Sequence, residues 1–420
     1  MSTDIKMALR NIWRSPVRTI LTMSAIAFAS LILVFMLSFQ FGSYEAMVNS
    51  SVKIHTGHFQ IQAEDYNEKQ NMRFVILSPG EIAAQLDKNE KIQAYTFRAN
   101  GFSLVSSKNR TRGVLVTGID PAREALVSTI KTLVKKGEYL GPQDRDKALI
   151  GKLLARHLKV GVNDELTILG QGKDGSIAAC IVTVKGIFSS GIDEFDRSTI
   201  QIPLGYFNDI FYMDGSVHEI VCTVDSIYDV KNITKELENE LKNELKSNLT
   251  ENQNSGKIVV LDWKELLPGL VQGIQLDLVS GIIFYVILIL VVAFSILNTF
   301  LMAILERTKE FGVMLALGVK PGRLLKLVLM ESTFLTLTGV MIGGMLGCLL
   351  TLWFQNHGIN LADASEILKE YGISGRVYPK LSFVSAFAGP CAVLCITLCA
   401  ALYPALKVKK LTPVEAMKSV

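Results

Sequence analysis

The chain has 420 residues, of which 49% are apolar and only 20% charged, and its mean hydropathy is +0.34. So oily a composition excludes an ordinary soluble protein, and its regular patterning excludes a disordered one. The net charge of +4 becomes informative only when it is divided along the sequence.

In chain order, residues 1–18 form a basic stem with Lys6, Arg10, Arg14 and Arg18 against Asp4. Residues 19–41 then carry no ionisable group and are long enough to span a bilayer. This run is longer than a signal-peptide core and ends in Leu37-Ser38-Phe39-Gln40-Phe41, without a small-x-small cleavage site, so a retained anchor is expected.

Residues 42–274 are of mixed pattern and make the main soluble domain. Strands are expected at Phe59 to Gln62, Gly113 to Thr117, Glu165 to Leu169, Ile181 to Val184 and Glu219 to Val224, where residues alternate or run β-branched. Helices are expected at Glu81 to Asp87, Lys147 to His157 and Val230 to Leu249. In the last, Ile233, Leu237, Leu241, Leu245 and Leu249 make an i+4 stripe that suits one helix packed on a sheet. The polar stretch Glu251 to Gly256 reads as a mobile break.

Further uncharged runs fill residues 278–305, 332–354 and 381–406, giving four expected transmembrane helices in all. Between them lie a loop at 306–331, a short loop at 355–380 and a tail at 407–420. Basic residues gather in the stem, in the 306–331 loop (Arg307, Lys309, Lys320, Arg323, Lys326) and in the tail (Lys407, Lys409, Lys410, Lys418). The positive-inside rule therefore places both termini and the 306–331 loop in the cytoplasm, and 42–274 and 355–380 outside it. The second span, at ~1.5 Å per residue, reaches ~42 Å, more than a ~30 Å hydrocarbon core, so it is expected to project beyond the bilayer as a lever.

Catalytic chemistry is hard to find. No Walker A sequence occurs: Gly322 is followed by Arg323 and Leu324, and Gly172-Lys173 by Asp174. No G-x-S-x-G elbow is present. His55 and His58, three apart on an expected strand, would point to opposite faces and not share a metal. Asp193, Glu194 and Asp196 read as a solvated turn, because nothing nearby would raise a carboxyl pKa. Cys348, Cys391, Cys395 and Cys399 lie in spans as packing residues, whereas Cys180 and Cys222 would face an oxidising compartment where pairing is allowed. No catalytic, cofactor-binding or metal residues are therefore assigned, and the chain is read as not an enzyme.

The informative segment is the 306–331 loop. Thr308 is placed to cap a helix, Glu310 suits its positive first turn, and Gly318, Pro321 and Gly322 stop it. Phe311, Met314 and Leu315 form one apolar face; Val313, Ala316 and Leu317 cover much of the other. A short helix greasy on most sides cannot stay bare in water, so it is expected to dock into another protein, with the membrane surface as the lesser reading. In the third span Gly339, Gly343 and Gly347 recur every fourth residue and permit close helix approach, either to span four or at a dimer seam. Glu331, at the inner end of that span, is costly unless it is paired, with Arg307 or Arg323 as candidate partner, or exposed to headgroup water.

The run Glu306-Arg307-Thr308-Lys309-Glu310-Phe311-Gly312-Val313-Met314-Leu315-Ala316-Leu317-Gly318 resembles the coupling-helix signature of the MacB/LolC/FtsX-type ABC transporter permeases, the mechanotransmission (type VII) class. Leu9 to Thr19 resembles the family's stem, and Tyr403-Pro404-Ala405-Leu406 with Leu411-Thr412-Pro413-Val414-Glu415-Ala416-Met417 its C-terminal end. Gly118-Ile119-Asp120-Pro121 and the block from Ala148-Leu149-Ile150-Gly151 to Gly191-Ile192-Asp193-Glu194-Phe195-Asp196 are similar to its periplasmic core.

That resemblance implies a membrane α-helical fold of four spans with a large extracytoplasmic α+β domain of porter-like and β-rich lobes. It implies a multi-pass protein of the bacterial inner membrane whose large domain is periplasmic. It also implies two copies of a separate ABC ATPase subunit, which would hold the ATP and Mg, and a homodimer or a heterodimer with a paralogue. The coupling-helix residues would be Glu306, Arg307, Glu310, Phe311, Gly312, Met314, Leu315, Leu317 and Gly318, and Glu331 would act as a latch. Thr56-Gly57-His58-Phe59-Gln60-Ile61 looks like the LolC/LolE branch, which implies lipoprotein release, with a lipoprotein or periplasmic adaptor as further partner. The alternative is MacB-like efflux of peptides or small amphiphiles. An envelope sensor lacks room for an output domain, a hydrolase lacks a catalytic constellation, and no nucleic-acid partner is implied.

Overall fold

The computed structural model describes residues 10–108, 110–225, 229–248, 257–360 and 376–409, with Met7 and Ile227, and leaves out the side chains of 242–248 and 409. The expected break at 251–256, the stripe residue Leu249, the side chain of Leu245, most of the 355–380 loop and the motif at 411–417 lie outside what is described. Two compact units are distinguished. One draws on Met1–Glu45, Gly273–Asn360 and Arg376–Val420; the other is built on Ala46–Gln272.

Helix α1 (Pro16–Ser51) runs into a π-helical turn at Val52–Thr56. The strands and helices that follow are β1 (Phe59–Ala63), α2 (Pro79–Leu86), β2 (Ile92–Ser107), β3 (Arg110–Ile119), α3 (Pro121–Val127), β4 (Val134–Gly137), β5 (Lys147–Gly151), α4 (Lys152–Leu158), β6 (Glu165–Gln171) and β7 (Ile177–Phe188). Then come α5 (Asp193–Ser198), β8 (Thr199–Pro203), α6 (Leu204–Phe211), β9 (Glu219–Val224), α7 (Val230–Asn248) and β10 (Ile258–Asp262).

These strands make two structures that share β2. Pairing runs β2-β3-β8-β5-β7, and β6 then pairs with both β7 and β2, which closes a six-stranded barrel. Its interior is apolar, filled by Val105, Val116, Ile150, Ile168, Val182 and Ile200, with Phe207 and Phe211 of α6 packed against them. The other half of β2 continues a sheet in the order β10-β1-β9-β2, all antiparallel. One face of that sheet packs Phe59, Ile61 and Ile220 on Ile82 and Leu86 of α2 and on Ile233, Leu237 and Leu241 of α7, so the described part of the i+4 stripe is a helix-on-sheet seam. Burial of such side chains is worth about 1.5–3 kcal/mol each.

Three expectations are corrected. Residues 147–151 are a strand, not the start of a helix, because β5 is buried on both sides and lies parallel to β7; the helix begins only at Lys152. Gly151 is required there, since a Cβ would stand 2.1 Å from the Asp196 carbonyl oxygen. Residues 193–198 are a helix, not a solvated turn. Asp196 is 3% exposed and accepts from the Ser190 amide (2.8 Å) and hydroxyl (2.7 Å); burial pushes its pKa up while these serine bonds oppose the shift. Finally, His55 sits in the π-helical turn rather than on a strand. Its Nδ1 meets Arg98 Nη1 at 3.0 Å, whereas His58 Nδ1 accepts from the Val224 amide at 3.0 Å. Cys180 and Cys222 are free thiols on β7 and β9.

The helical unit comprises the first part of α1 with α8 (Pro268–Glu306), α9 (Thr308–Ala316), α10 (Pro321–His357) and α11 (Phe383–Lys409). Strands β11 (Ile359–Asn360) and β12 (Arg376–Val377) form a small ribbon. Helices α1, α8, α10 and α11 contain the four apolar runs and are long and apolar enough to cross a membrane. They share one core through Ile26 and Leu33, Ile296 and Phe300, Leu335, and Val393. The glycine face of α10 packs on α1, not on α11: a Cβ on Gly339 would meet Ile26, on Gly347 Val34, and on Gly343 the Ala27 carbonyl oxygen at 2.1 Å. Only hydrogen atoms at these positions let the two backbones approach so closely.

Candidate functional site

The site is built where α8 ends and α9 begins. Thr308 does not cap α9: Arg307 takes the N-cap position, and the Thr308 hydroxyl donates back to the Ile304 carbonyl at 3.0 Å. Gly318, with φ of +86°, follows the helix in a conformation that favours glycine.

The apolar faces of α9 are not equivalent. Phe311 is fully buried among Ile304 of α8, Leu324 and Val328 of α10, and Ala405 and Val408 of α11, with Met314 and Leu315 partly covered by the same cluster. Gly312 is also buried. Half of the greasy surface is thus satisfied within the chain. The other half, Val313 (51% exposed) and Leu317 (80% exposed) with Ala316, remains bare.

Ion pairs fasten this helix to its neighbours. Arg307 Nη1 donates to Glu331 Oε2 at 3.0 Å, and both side chains are largely buried. Arg307 Nε reaches Glu310 at 3.4 Å, and its guanidinium lies 5.3 Å from the Phe311 ring centroid. Glu310 also receives Arg14 at 2.5 Å, and Glu306 receives Arg18 at 2.5 Å. The stem, α9 and α10 are therefore joined by one charge network and α1 and α8 by the separate Arg18–Glu306 pair, with a cavity of about 30 Å³ beside Thr22, Arg307, Glu331 and Ser332. Arg323 stands on the exposed first turn of α10, and the pairing seen for Glu331 is with Arg307.

Of the residues named from sequence, Glu306, Arg307, Glu310, Phe311 and Glu331 are brought together, while Leu317 and Gly318 face away and the three glycines lie further along α10. Sequence reasoning missed Arg14 and Arg18. Their signal is the i+4 spacing of Arg10, Arg14 and Arg18 together with the acidic Glu306 and Glu310, which offer them partners; the positive-inside rule uses the arginines only as charge. At the opposite end of the helices, Asp277 of α8 accepts from Tyr44 (2.5 Å) and Gln40 (3.0 Å) of α1, so α1 and α8 are tied at both ends. The arrangement consists of ion pairs, hydrogen bonds and packed apolar side chains; among the described residues no group of three or more His, Cys, Asp or Glu is placed to hold a metal.

Comparison with known proteins places these elements in context. Residues 282–413 match the FtsX-like permease C-terminal family, and residues 19–240 match the MacB-like periplasmic core domain. The chain is 24% identical over 329 residues to the lipoprotein-releasing system transmembrane protein LolC of Xylella fastidiosa, covering 74% of each chain. It is 21% identical over 351 residues to LolE of Haemophilus influenzae, covering 80% of each. A shorter similarity, 31% over 126 residues, joins 30% of this chain to 17% of the macrolide export ATP-binding/permease protein MacB of Sodalis glossinidius. Among solved structures, the periplasmic region of MacB from Actinobacillus actinomycetemcomitans aligns with 53% of this chain and 94% of its own, at 14% identity and a TM-score of 0.36.

Proposed function

The chain belongs to the FtsX-like ABC transporter permeases that carry a MacB-like periplasmic core domain, and on that footing we propose that it converts ATP hydrolysis by a separate ATPase subunit into movement of its outer domain. It is a membrane protein and a transporter permease subunit. In this reading both termini and α9 are cytoplasmic, residues 46–272 lie in the periplasm of a cell with an inner membrane, and two copies, or this chain and a paralogue, sit over two ATPase subunits. ATP and Mg are held by those subunits, not by this chain.

One observation carries the reading: α9 is anchored from behind by Phe311 and Arg307 yet presents Val313 and Leu317 outward. A bare apolar ridge on a firmly seated helix is suited to receive a push from a partner. Because Arg307 and Glu310 bind Glu331 of α10 and Arg14 of the stem, a displacement of α9 is passed to several elements at once. Helix α8, 39 residues long and about 58 Å at ~1.5 Å per residue, then carries it along a single rigid element.

The released cargo is proposed to be a lipoprotein, supported by similarity to LolC and LolE over about three quarters of the chain. Efflux of peptides or small amphiphiles is the second reading, favoured by the local similarity to MacB. The test of coupling is purification of tagged full-length chain from its native membranes. ATP hydrolysis should accompany the wild type and fall at least about tenfold with Leu317→Asp, while the variant stays inserted and its thermal transition is unchanged. Full ATPase recovery with Leu317→Asp would remove the proposed docking surface.

A further inference from the structure

The sheet face opposite the α2/α7 seam is polar although it is buried. Register places Gln62 opposite Glu219, Glu219 opposite Arg98, and Asn100 two residues beyond Arg98, so all four side chains share that face. Arg98 is fully buried and fully committed: Nη2 and Nε donate to the two oxygens of Glu124 at 2.6 and 3.0 Å, and Nη1 donates to the His55 carbonyl and contacts its Nδ1. With Nδ1 facing a guanidinium donor, His55 is neutral. His218 is neutral as well, since its Nδ1 accepts from the Asn100 amide at 2.9 Å. The layer therefore holds one guanidinium against two carboxyl groups: Glu124 takes the guanidinium, and Glu219, whose pKa burial pushes up to about 7, is the one left to ionise against a bound cation.

Three acceptor oxygens on this face have no hydrogen-bond partner among the described residues: Gln62 Oε1, Asn100 Oδ1 and Glu219 Oε2. Their residues are 2%, 6% and 8% exposed. Amide orientation is fixed by the neighbours. The Thr56 carbonyl must receive the Gln60 NH₂ (2.8 Å), so Gln60 Oε1 receives the Gln62 NH₂ (2.5 Å) and the Gln62 oxygen is left over. Asn100 likewise spends its NH₂ on Glu219 Oε1 (2.8 Å) and the Tyr66 hydroxyl (3.1 Å), leaving Oδ1.

All three residues line one cavity of about 180 Å³, whose other walls include Phe102, Leu115, Leu266 and Leu267. An engineered apolar cavity of ~150 Å³ admits benzene, so a six-membered ring is of the right size. Beyond its mouth the same strand face continues with exposed Phe102 and with Leu104 paired to Leu169. A donor-hungry floor with an ionisable carboxyl, in a lining that combines Phe102, Leu115, Leu266 and Leu267 with Tyr66, Asn67 and Gln70, defines the ligand. We propose that this cavity binds a primary ammonium group borne on a small apolar body, the ammonium donating to Gln62 Oε1, Asn100 Oδ1 and Glu219 Oε2. A bare inorganic cation would leave the four apolar side chains unused, and a neutral alcohol would give Glu219 no counter-charge to ionise against. The proposal stands apart from the transport reading and uses no residue of the α9 cluster.

The experiment is calorimetric titration of the full-length chain in lipid nanodiscs with cyclohexylammonium chloride, with cyclohexanol and ammonium chloride as comparators. Cyclohexylammonium should bind at least about tenfold more tightly than either. Glu219→Gln should weaken it at least about tenfold, and Leu115→Trp, which fills the apolar wall, should abolish it without shifting the ligand-free thermal transition. If Glu219→Gln does not fold, the Leu115→Trp result decides. Equal binding of cyclohexanol, equal binding of ammonium chloride, no binding at all, or full binding to Leu115→Trp would each overturn the assignment.

Discussion

Arg307 and Glu331 show how two pairs of the same chemistry differ in weight. Their side chains are only 13% and 15% exposed, so removing one partner strands a charge where water cannot reach it. Glu331→Leu is expected to lower stability by about 3–5 kcal/mol, and Arg307→Met with Glu331→Leu to recover most of the loss. Arg14, 63% exposed in its pair with Glu310, should cost no more than about 1 kcal/mol on change to Ala. Thermal unfolding of the four proteins in one detergent checks both statements. A second residue-scale prediction concerns Glu219, whose pKa burial pushes up to about 7, with Arg98 opposing and Glu124 adding to the rise. A carboxyl raised in the folded state favours folding below its unfolded value, and that contribution is lost as pH rises through about 7. Glu219→Gln should therefore flatten the part of the stability curve that declines between about pH 4.5 and 7; an identical curve for the variant would contradict the buried placement.

At the scale of elements, the α1/α10 seam makes the sharpest demand. Gly343→Leu puts side-chain carbon where the Ala27 carbonyl already stands, and α10 must move off α1. Loss of the folded monomer is expected, whereas Gly344→Ala, whose Cβ would meet nothing nearer than 3.6 Å, should be tolerated; fluorescence size-exclusion of the two variants compares them. The same seam marks what a single sequence reveals. The four-residue spacing announced a close contact but could not name its partner, because helix pairing is decided by shape across the interface and not by either strip alone. Strands β1, β3, β6, β7 and β9 were legible from alternation and β-branching. The long β2 was not, since Gly101, Arg98 and Asn100 interrupt its apolar pattern: Arg98 and Asn100 are turned to the polar layer, and Gly101 faces Phe207 and Phe211 on the other side. Strand β5 was misread because three consecutive buried apolar residues look the same in a helix. Around α9, the pairing of Glu331 with Arg307 and the apolar character of Phe311 were legible, but only packing separates Phe311, turned inward, from Leu317, turned outward.

For the whole molecule, composition alone fixed a four-helix membrane part and a large polar-patterned part, and both are present as separate compact units. What composition could not supply is the closed barrel, which depends on β6 pairing with both β2 and β7 at long sequence separation. The central claim is that motion enters at α9 and leaves through the outer unit. It is tested most directly by double electron–electron resonance on the purified permease–ATPase complex, with a spin label at Ile177, which is exposed on β7. The account predicts that the distance between labels in the two permease copies changes when ATP is bound, and is insensitive to ATP when purified Leu317→Asp permease is mixed with the ATPase subunit. A distance that ignores ATP in the wild type, or that responds equally in Leu317→Asp, would contradict it.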